Sequence, residues 1–360
     1  MKFYLVVQIL SLLFVFFIFA FVVSTDNSIH KFSVTNNSNV IINHIIENKN
    51  NDKHGETHKE VTYTDTYLNV SNFNYTGKCS EVFKYKKNNP RDLFLTAIYF
   101  KNPNVWFTIK DRAVRCLKVA QSGIPKATRK VLLLSDDEIP DFTKTMNELG
   151  VSVENHPINT TFTNGAVLRY FAAYDYLTQN QEKYDRVVFG DFKDIYFFAD
   201  GFATFDVNDL IFLMECKAVD NTKTCVTLAE PTNRRWIQTS FGKAIADGYA
   251  NNRTFLSNVG VVLGGTAKLL KYIEIFKDNV IPEKADNWGH DQALHNKLLY
   301  SGYFESLNYT KDYCTQRVCF SEDKSVVWDA KNKALYTRGT GCAPVIRHKI
   351  WFNNRRIYYE

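Results

Sequence analysis

Glycine and proline are scarce, at 16 and 8 of 360 residues, which excludes a collagen-like chain and a low-complexity Pro/Gly-rich one. No run of five or six like charges occurs, so the basic footprint of a nucleic-acid binder is missing and no such partner is expected. The seven cysteines include no CxxC pair and meet no matching pair of histidines, which excludes a structural zinc site. No segment repeats at a fixed period, so the chain is not a solenoid. What is present is apolar and aromatic: 45% hydrophobic residues, with 28 Phe, 20 Tyr and 5 Trp. Such a chain buries a sizeable core and is not intrinsically disordered. The 44 Lys and Arg exceed the 38 Asp and Glu to give +6, a mild preference for anionic small molecules.

Charge is absent altogether from residues 3–23, FYLVVQILSLLFVFFIFAFVV. At about 1.5 Å per residue this stretch is long enough to cross a hydrocarbon core of roughly 30 Å. A cleaved signal peptide ending near Val22-Val23-Ser24 is the competing reading, although its apolar region would be shorter. The length of the run favours an uncleaved transmembrane signal anchor over residues 1–23, and Lys2 before the span with Asp26 after it leaves the short end cytoplasmic. That is type II single-pass topology. Six Asn-x-Ser/Thr sequons, at Asn36, Asn69, Asn74, Asn159, Asn252 and Asn308, are usable only in a secretory lumen or outside the cell. In an oxidising compartment some cysteines should pair; Cys314 with Cys319 and Cys216 with Cys225 are closest in sequence, and the odd count leaves one thiol over. Residues 24–90, rich in Asn and poor in long apolar runs, read as a mostly disordered lumenal stem whose four histidines are solvated.

From Asp92 the pattern changes to strand-length apolar runs alternating with stretches of helical period. This is the signature of an α/β domain, over 91–360, with a largely parallel sheet flanked by helices. Strands are expected at 93–100, 130–135, 151–158, 186–190, 225–230 and 258–265, and helices at 109–120, after Pro140, and at 164–181, 233–248 and 266–279. In open α/β sheets ligands bind outside the carboxyl ends of the strands. Acids that end a buried apolar strand are therefore the first candidates for chemistry, and Asp136-Asp137 and Asp191 qualify.

The strand ending Val187-Val188-Phe189-Gly190 runs into Asp191-Phe192-Lys193-Asp194, two carboxylates three apart on a turn. Mg²⁺ and Mn²⁺ take carboxylate oxygens and keep places for substrate phosphates, so the turn suits a metal-bound diphosphate. The segment GDFKDIYFFADGF resembles the GT-A nucleotide-diphospho-sugar glycosyltransferases whose signature is Asp-x-Arg-Asp followed by Asp-Pro-Phe. Here Lys193 stands for Arg, and Asp200-Gly201-Phe202 for Asp-Pro-Phe. Arg169-Tyr170 upstream, SNVGVVLGG (257–265), HDQALHN (290–296) and APVIRH (343–348) resemble the same family's order of motifs.

The resemblance implies a Rossmann-like GT-A fold over roughly 92–352 with Asp191, Asp194 and Asp291 as catalytic residues. It implies nucleotide-sugar binding by Thr96, Asp136, Arg169, Lys193, Asn258, Gly260 and Gln292, and Mn²⁺ or Mg²⁺ held by Asp191, Asp194 and His348. The commoner Asp-x-Asp is absent, so either Asp191 and Asp194 share an ion or Lys193 neutralises the diphosphate as a point charge. The function implied is transfer of a sugar from a nucleotide-diphosphate donor to a glycan, protein or lipid acceptor, by a Golgi or endoplasmic reticulum membrane enzyme with a lumenal catalytic domain. Two alternatives stand beside it: a non-catalytic carbohydrate-binding protein descended from a transferase, and a hydrolase using the carboxylates as acid and base. The second is weaker because both acids sit on one short turn.

Overall fold

A computed structural model of the protein describes residues 73, 75–135, 137–216, 225–320, 326–329, 334–337 and 340–349. The apolar span at 3–23 lies outside them; among the described residues no helix is long and apolar enough to cross a membrane. The first half of the domain runs β1 (Asp92–Ile98), α1 (Val105–Gly123), β2 (Thr128–Leu133), α2 (Pro140–Glu148), β3 (Ser152–Asn155), α3 (Gly165–Gln179), β4 (Arg186–Asp191), β5 (Ile195–Phe197) and β6 (Leu210–Met214). Then follow α4 (Pro231–Phe241), α5 (Lys243–Asn251), β7 (Ser257–Gly265), α6 (Thr266–Asp278), α7 (Pro282–Ala285) and α8 (His290–Tyr300). The chain closes with β8 (Thr310–Asp312), β9 (Val318–Phe320), β10 (Val326–Asp329), β11 (Ala334–Thr337) and β12 (Ile346–His348).

Seven strands form one sheet in the order β3-β2-β1-β4-β7-β6-β8. All neighbours are parallel except β7, which runs antiparallel to both β4 and β6. The result is a mostly parallel mixed sheet flanked by helices, an α/β architecture of Rossmann-like kind. Its central strands are buried on both faces, which is why they read as continuous apolar runs. In β1, Leu93, Leu95 and Ala97 join one core with Tyr170, Phe189 and Tyr272, while Phe94 joins the opposite core with Trp106, Phe142 and Phe197. The strand order reverses between β1 and β4, and in open α/β sheets such a reversal is where ligands bind, at the carboxyl ends of the strands.

A buried ion pair fixes the other end of these strands. Asp92 and Arg186 are register partners, and Arg186 Nε and Nη2 donate to the two Asp92 carboxylate oxygens at 2.8 and 2.7 Å. The remaining guanidinium nitrogen donates to the carbonyls of Lys86, Phe202 and Phe205. A charge pair this deep is retained only with such complete hydrogen bonding.

A second, three-stranded sheet stacks β5-β12-β9, with β12 antiparallel to β5 and parallel to β9. It carries the end of the chain back to the residue after the acidic turn.

Four differences from the sequence reading have physical causes. CVTLAE (225–230) is not a strand: it makes only isolated bridges, Cys216 to Cys225 and Thr227 to Phe255. The sheet strand is instead Leu210–Met214, too short an apolar run to stand out from its loop. The expected helix 233–248 is two, broken at Gly242, whose φ of +91° suits glycine. The domain also begins before residue 91. Phe73 is buried and stacks on Phe198 at 4.8 Å. Asn88, buried, accepts from the amides of Lys126 and Ala127, and Cys79 is bridged to Cys342. The other disulfides are the two closest pairs, Cys216–Cys225 and Cys314–Cys319, and buried Cys116 is the thiol left over.

Candidate active site

The carboxyl edge of the sheet gathers polar residues from seven elements. Asp191 is the last residue of β4, where strand pairing ends and the chain turns through Phe192-Lys193-Asp194 into β5. His348 ends β12, opposite Ile195 in register, and the Lys349 amide donates to the Asp194 carbonyl at 2.7 Å. The small sheet thus delivers the imidazole to the turn: His348 Nε2 lies 3.1 Å from Asp191 Oδ2. One potential ligand atom each from Asp191, Asp194 and His348 lies within 4.8 Å of the others.

Glycines make this approach possible. A Cβ on Gly260 would sit 2.2 Å from His348 Nε2 and 2.9 Å from Asp191 Oδ2, and one on Gly190 would meet the Gly260 carbonyl at 2.6 Å. Gly260 therefore forms a cradle beneath the Asp–His pair. It supports the Asp–His contact from below.

Arg169, on α3, reaches into the edge and is only 4% exposed. Its guanidinium donates to Asp191 Oδ1, to the Val259 carbonyl at 3.1 Å and to Asp291 Oδ2 at 3.3 Å. A side chain so enclosed holds the two acids in place. Arg112, on α1, pairs with Asp194 at 2.5 Å. Each carboxylate of the turn thus has an arginine behind it.

The charges follow from these contacts. Burial disfavours ionised Asp191, but Arg169, His348 and Lys349 outweigh it and hold the carboxyl well below the usual range. Burial raises the Asp291 carboxyl, with Arg169 pulling the other way. Burial likewise lowers His348, against the pull of Asp191.

A row of amides continues from the pair. Asn258 Oδ1 accepts from the Gly260 amide at 2.8 Å, and Asn258 Nδ2 donates to Glu215 Oε1 at 2.6 Å and Gln292 Oε1 at 3.4 Å. Gln292 Nε2 donates to Asn233 Oδ1 at 2.6 Å, and Asn233 Nδ2 donates to Glu230 at 2.7 Å.

Eight of the residues singled out in the sequence are therefore joined by direct contacts: Asp191, Asp194 and His348, Arg169 and Asp291, Asn258, Gly260 and Gln292. Lys193 stands half-buried on the turn between the two acids. Thr96 is not at the edge surface: it is 1% exposed, paired in register with Gly190. Asp136 lies outside the described residues. Arg112, Glu215 and Asn233 escaped the sequence reading because each meets its partner at the site, Asp194, Asn258 and Gln292 respectively, across 43 or more residues of chain; no local spacing encodes such contacts. Neither a protein-family model nor a curated protein sequence matches the chain.

Proposed function

We propose that the protein is a GT-A-type glycosyltransferase, moving a sugar from a nucleotide-diphosphate donor to a glycan, protein or lipid acceptor. The observation that carries the reading is the convergence of Asp191, Asp194 and His348, from two sheets, within 4.8 Å beside the reversal of strand order. The donor set suits a divalent cation: two carboxylates and an imidazole of mixed hardness over a cradle that a Cβ would fill. Mn²⁺ or Mg²⁺ held there would supply positive charge beside the departing diphosphate.

The chain's own groups divide the remaining work. Arg169 orients Asp191 and ties it to Asp291 on α8, so the acids keep their geometry when charge changes near them. Lys193 adds a point charge on the turn for the diphosphate. Gln292, half-buried and held by Asn258, presents an amide to sugar hydroxyls. Three disulfides and the exposed sequon asparagines Asn159, Asn252 and Asn308 support a lumenal domain behind a type II Golgi or endoplasmic reticulum membrane anchor.

A second reading, binding of a nucleotide sugar without turnover, is favoured by one observation: both carboxylates of the turn are already paired with arginines. One experiment separates the two. Full-length protein in detergent is assayed for hydrolysis of a panel of UDP and GDP sugars with and without Mn²⁺. At least one donor should turn over. Asp191→Asn and Asp194→Asn should each lose roughly two to three orders of magnitude, as expected when a preorganised charge-stabilising group is removed. Near-normal turnover in both variants would remove the turn from catalysis, and binding without turnover in the wild type would favour the second reading.

A further inference from the structure

The small sheet has a second end. At their carboxyl ends β12 and β9 bring His348 beside Phe320; at their amino ends the chain encloses a cavity of about 240 Å³. Its lining comes from two stretches far apart in sequence. Lys78, Glu81 and Lys84 belong to the segment ahead of β1, and Gln316, Arg317 and Thr340 to the end of the chain. The proposed function uses none of them.

The two walls are fixed to each other. The Cys79–Cys342 disulfide joins them, and Gln316 Nε2 donates to the Cys79 carbonyl at 2.5 Å. The amides of Val345 and Ile346 donate to the carbonyls of Gln316 and Arg317 at 2.8 and 2.9 Å. A ligand entering here finds walls already in position, which removes part of the entropic cost of binding.

Charge decides what the cavity takes. The lining holds three cations and one carboxylate, and among the described residues no acid forms an ion pair with Lys78 or Lys84. Arg317 has Asp312 alone, 3.8 Å from its Nη1, and the Asp312 carboxylate already accepts from the Thr315 amide and hydroxyl. Arg317 Nε is enclosed without an acceptor. Buried donors are seldom left so, and this one calls for an acceptor from outside the chain. Cations gathered at fixed positions favour an anion, and a guanidinium meets the oxygens of a sulfate or phosphate through two N–H groups at once. Volume sets the size: sites for drug-sized ligands run from roughly 300 to 1,000 Å³, so this cavity suits one tetrahedral group with little attached.

We propose that Lys78, Lys84 and Arg317 bind a tetrahedral oxyanion, a sulfate or phosphate that is either free or esterified to one sugar, and that the anion clamps the segment ahead of β1 to the end of the chain. The test is calorimetric titration of full-length protein in detergent with sodium sulfate, sodium phosphate, glucose-6-phosphate and galactose-6-sulfate, the ionic strength being held constant with sodium chloride. At least one probe should bind and raise the thermal unfolding midpoint with its concentration. Arg317→Gln should weaken binding about tenfold or more. Lys78→Gln combined with Lys84→Gln, which alters exposed side chains and so leaves the fold intact, should do the same. Lys86→Gln combined with Lys87→Gln, exposed on the same segment but outside the lining, should bind as the wild type does. An ester that binds tighter than both free ions upholds the proposal with the sugar as part of the ligand; equal affinities uphold it with the ion alone. Absence of binding by every probe overturns it, as does affinity unchanged in both lining variants. An equal loss in the Lys86 and Lys87 variant would reduce the effect to general surface charge and overturn it as well. So would binding kept in Arg317→Gln and lost in Lys193→Ala, which would put the ion at the acidic turn.

Discussion

At Gly260 a single missing side chain permits the contact between two elements that are otherwise far apart in the chain. The residue sits in the middle of β7 with all its neighbours buried, so the requirement is for space and not for an unusual backbone conformation. Gly260→Ala should push His348 off Asp191, because the imidazole lies within 2.2 Å of the new Cβ. We expect a loss of about 1 to 3 kcal/mol in thermal or denaturant unfolding, typical of overpacking, together with at least tenfold weaker donor turnover. Gly248→Ala is the control. It lies inside α5 with nothing within 4 Å of its Cβ position, so it should stabilise by about 0.5 to 1 kcal/mol with turnover unchanged. Equal behaviour of the two variants would mean that Gly260 forms no cradle. The residue-scale picture also shows why part of the site was readable and part was not. Asp191 announces itself by ending an apolar strand, with Asp194 on the turn after it, whereas His348 was reached only through the family resemblance. The buried state of Arg169, and the presence of Arg112 and Asn233, depend on helix packing that no local pattern reports.

At the scale of elements, the central strands were legible for a simple reason: a strand covered on both faces has few polar residues to confuse its reading. LIFLM was missed and CVTLAE mistaken because both are short, and only pairing with β7 distinguishes a sheet strand from a looped segment with two bridges. The segment before β1 was read as stem since its composition is polar, yet it is held by a few strong contacts that composition hides. Tyr75 Oη donates to the Pro344 carbonyl, and the Tyr85 amide to the Ala203 carbonyl at 3.0 Å. The Cys79–Cys342 bridge spans 263 residues, against 9 for Cys216–Cys225. Chain entropy in the unfolded state makes the longer closure worth more, on the order of 5 versus 3 kcal/mol. Cys79→Ser should therefore lower the unfolding free energy of the full-length protein clearly more than Cys216→Ser does. Equal losses, measured by denaturant titration without reductant, would show that the segment ahead of β1 is a tether after all.

For the whole molecule, the two histidines of α8 set a limit on stability at acid pH. His295 is fully enclosed, with Nδ1 3.0 Å from the Tyr272 hydroxyl and Nε2 2.9 Å from Ser257 Oγ. Burial pushes it down from 6.5 to about 3, and His290 to about 4. Below pH 6.5 the unfolded chain takes up protons that the folded chain refuses, so the unfolded state binds more protons and gains stability as pH falls. Folding stability is thus fully present above about pH 6.5. It is lost progressively down to pH 4 and 3, by about 1.4 kcal/mol per pH unit for each histidine within its window. His348, also lowered by burial, acts in the same direction. Depressed carboxylates such as Asp191 enter only below their ordinary range, near pH 4, whereas Asp92 and Asp291, raised by burial, act in the opposite direction, so the contribution of His295 is read from the difference between the wild type and a variant. His295→Gln keeps an amide for the two hydroxyls and cannot take the proton. It should unfold more easily at pH 7.5 yet show a shallower decline between pH 6.5 and 4.5, by about 1.4 kcal/mol per unit. Denaturant midpoints measured across this range decide the matter: parallel declines in the two proteins would mean that His295 takes up its proton in the folded state as readily as in the unfolded one.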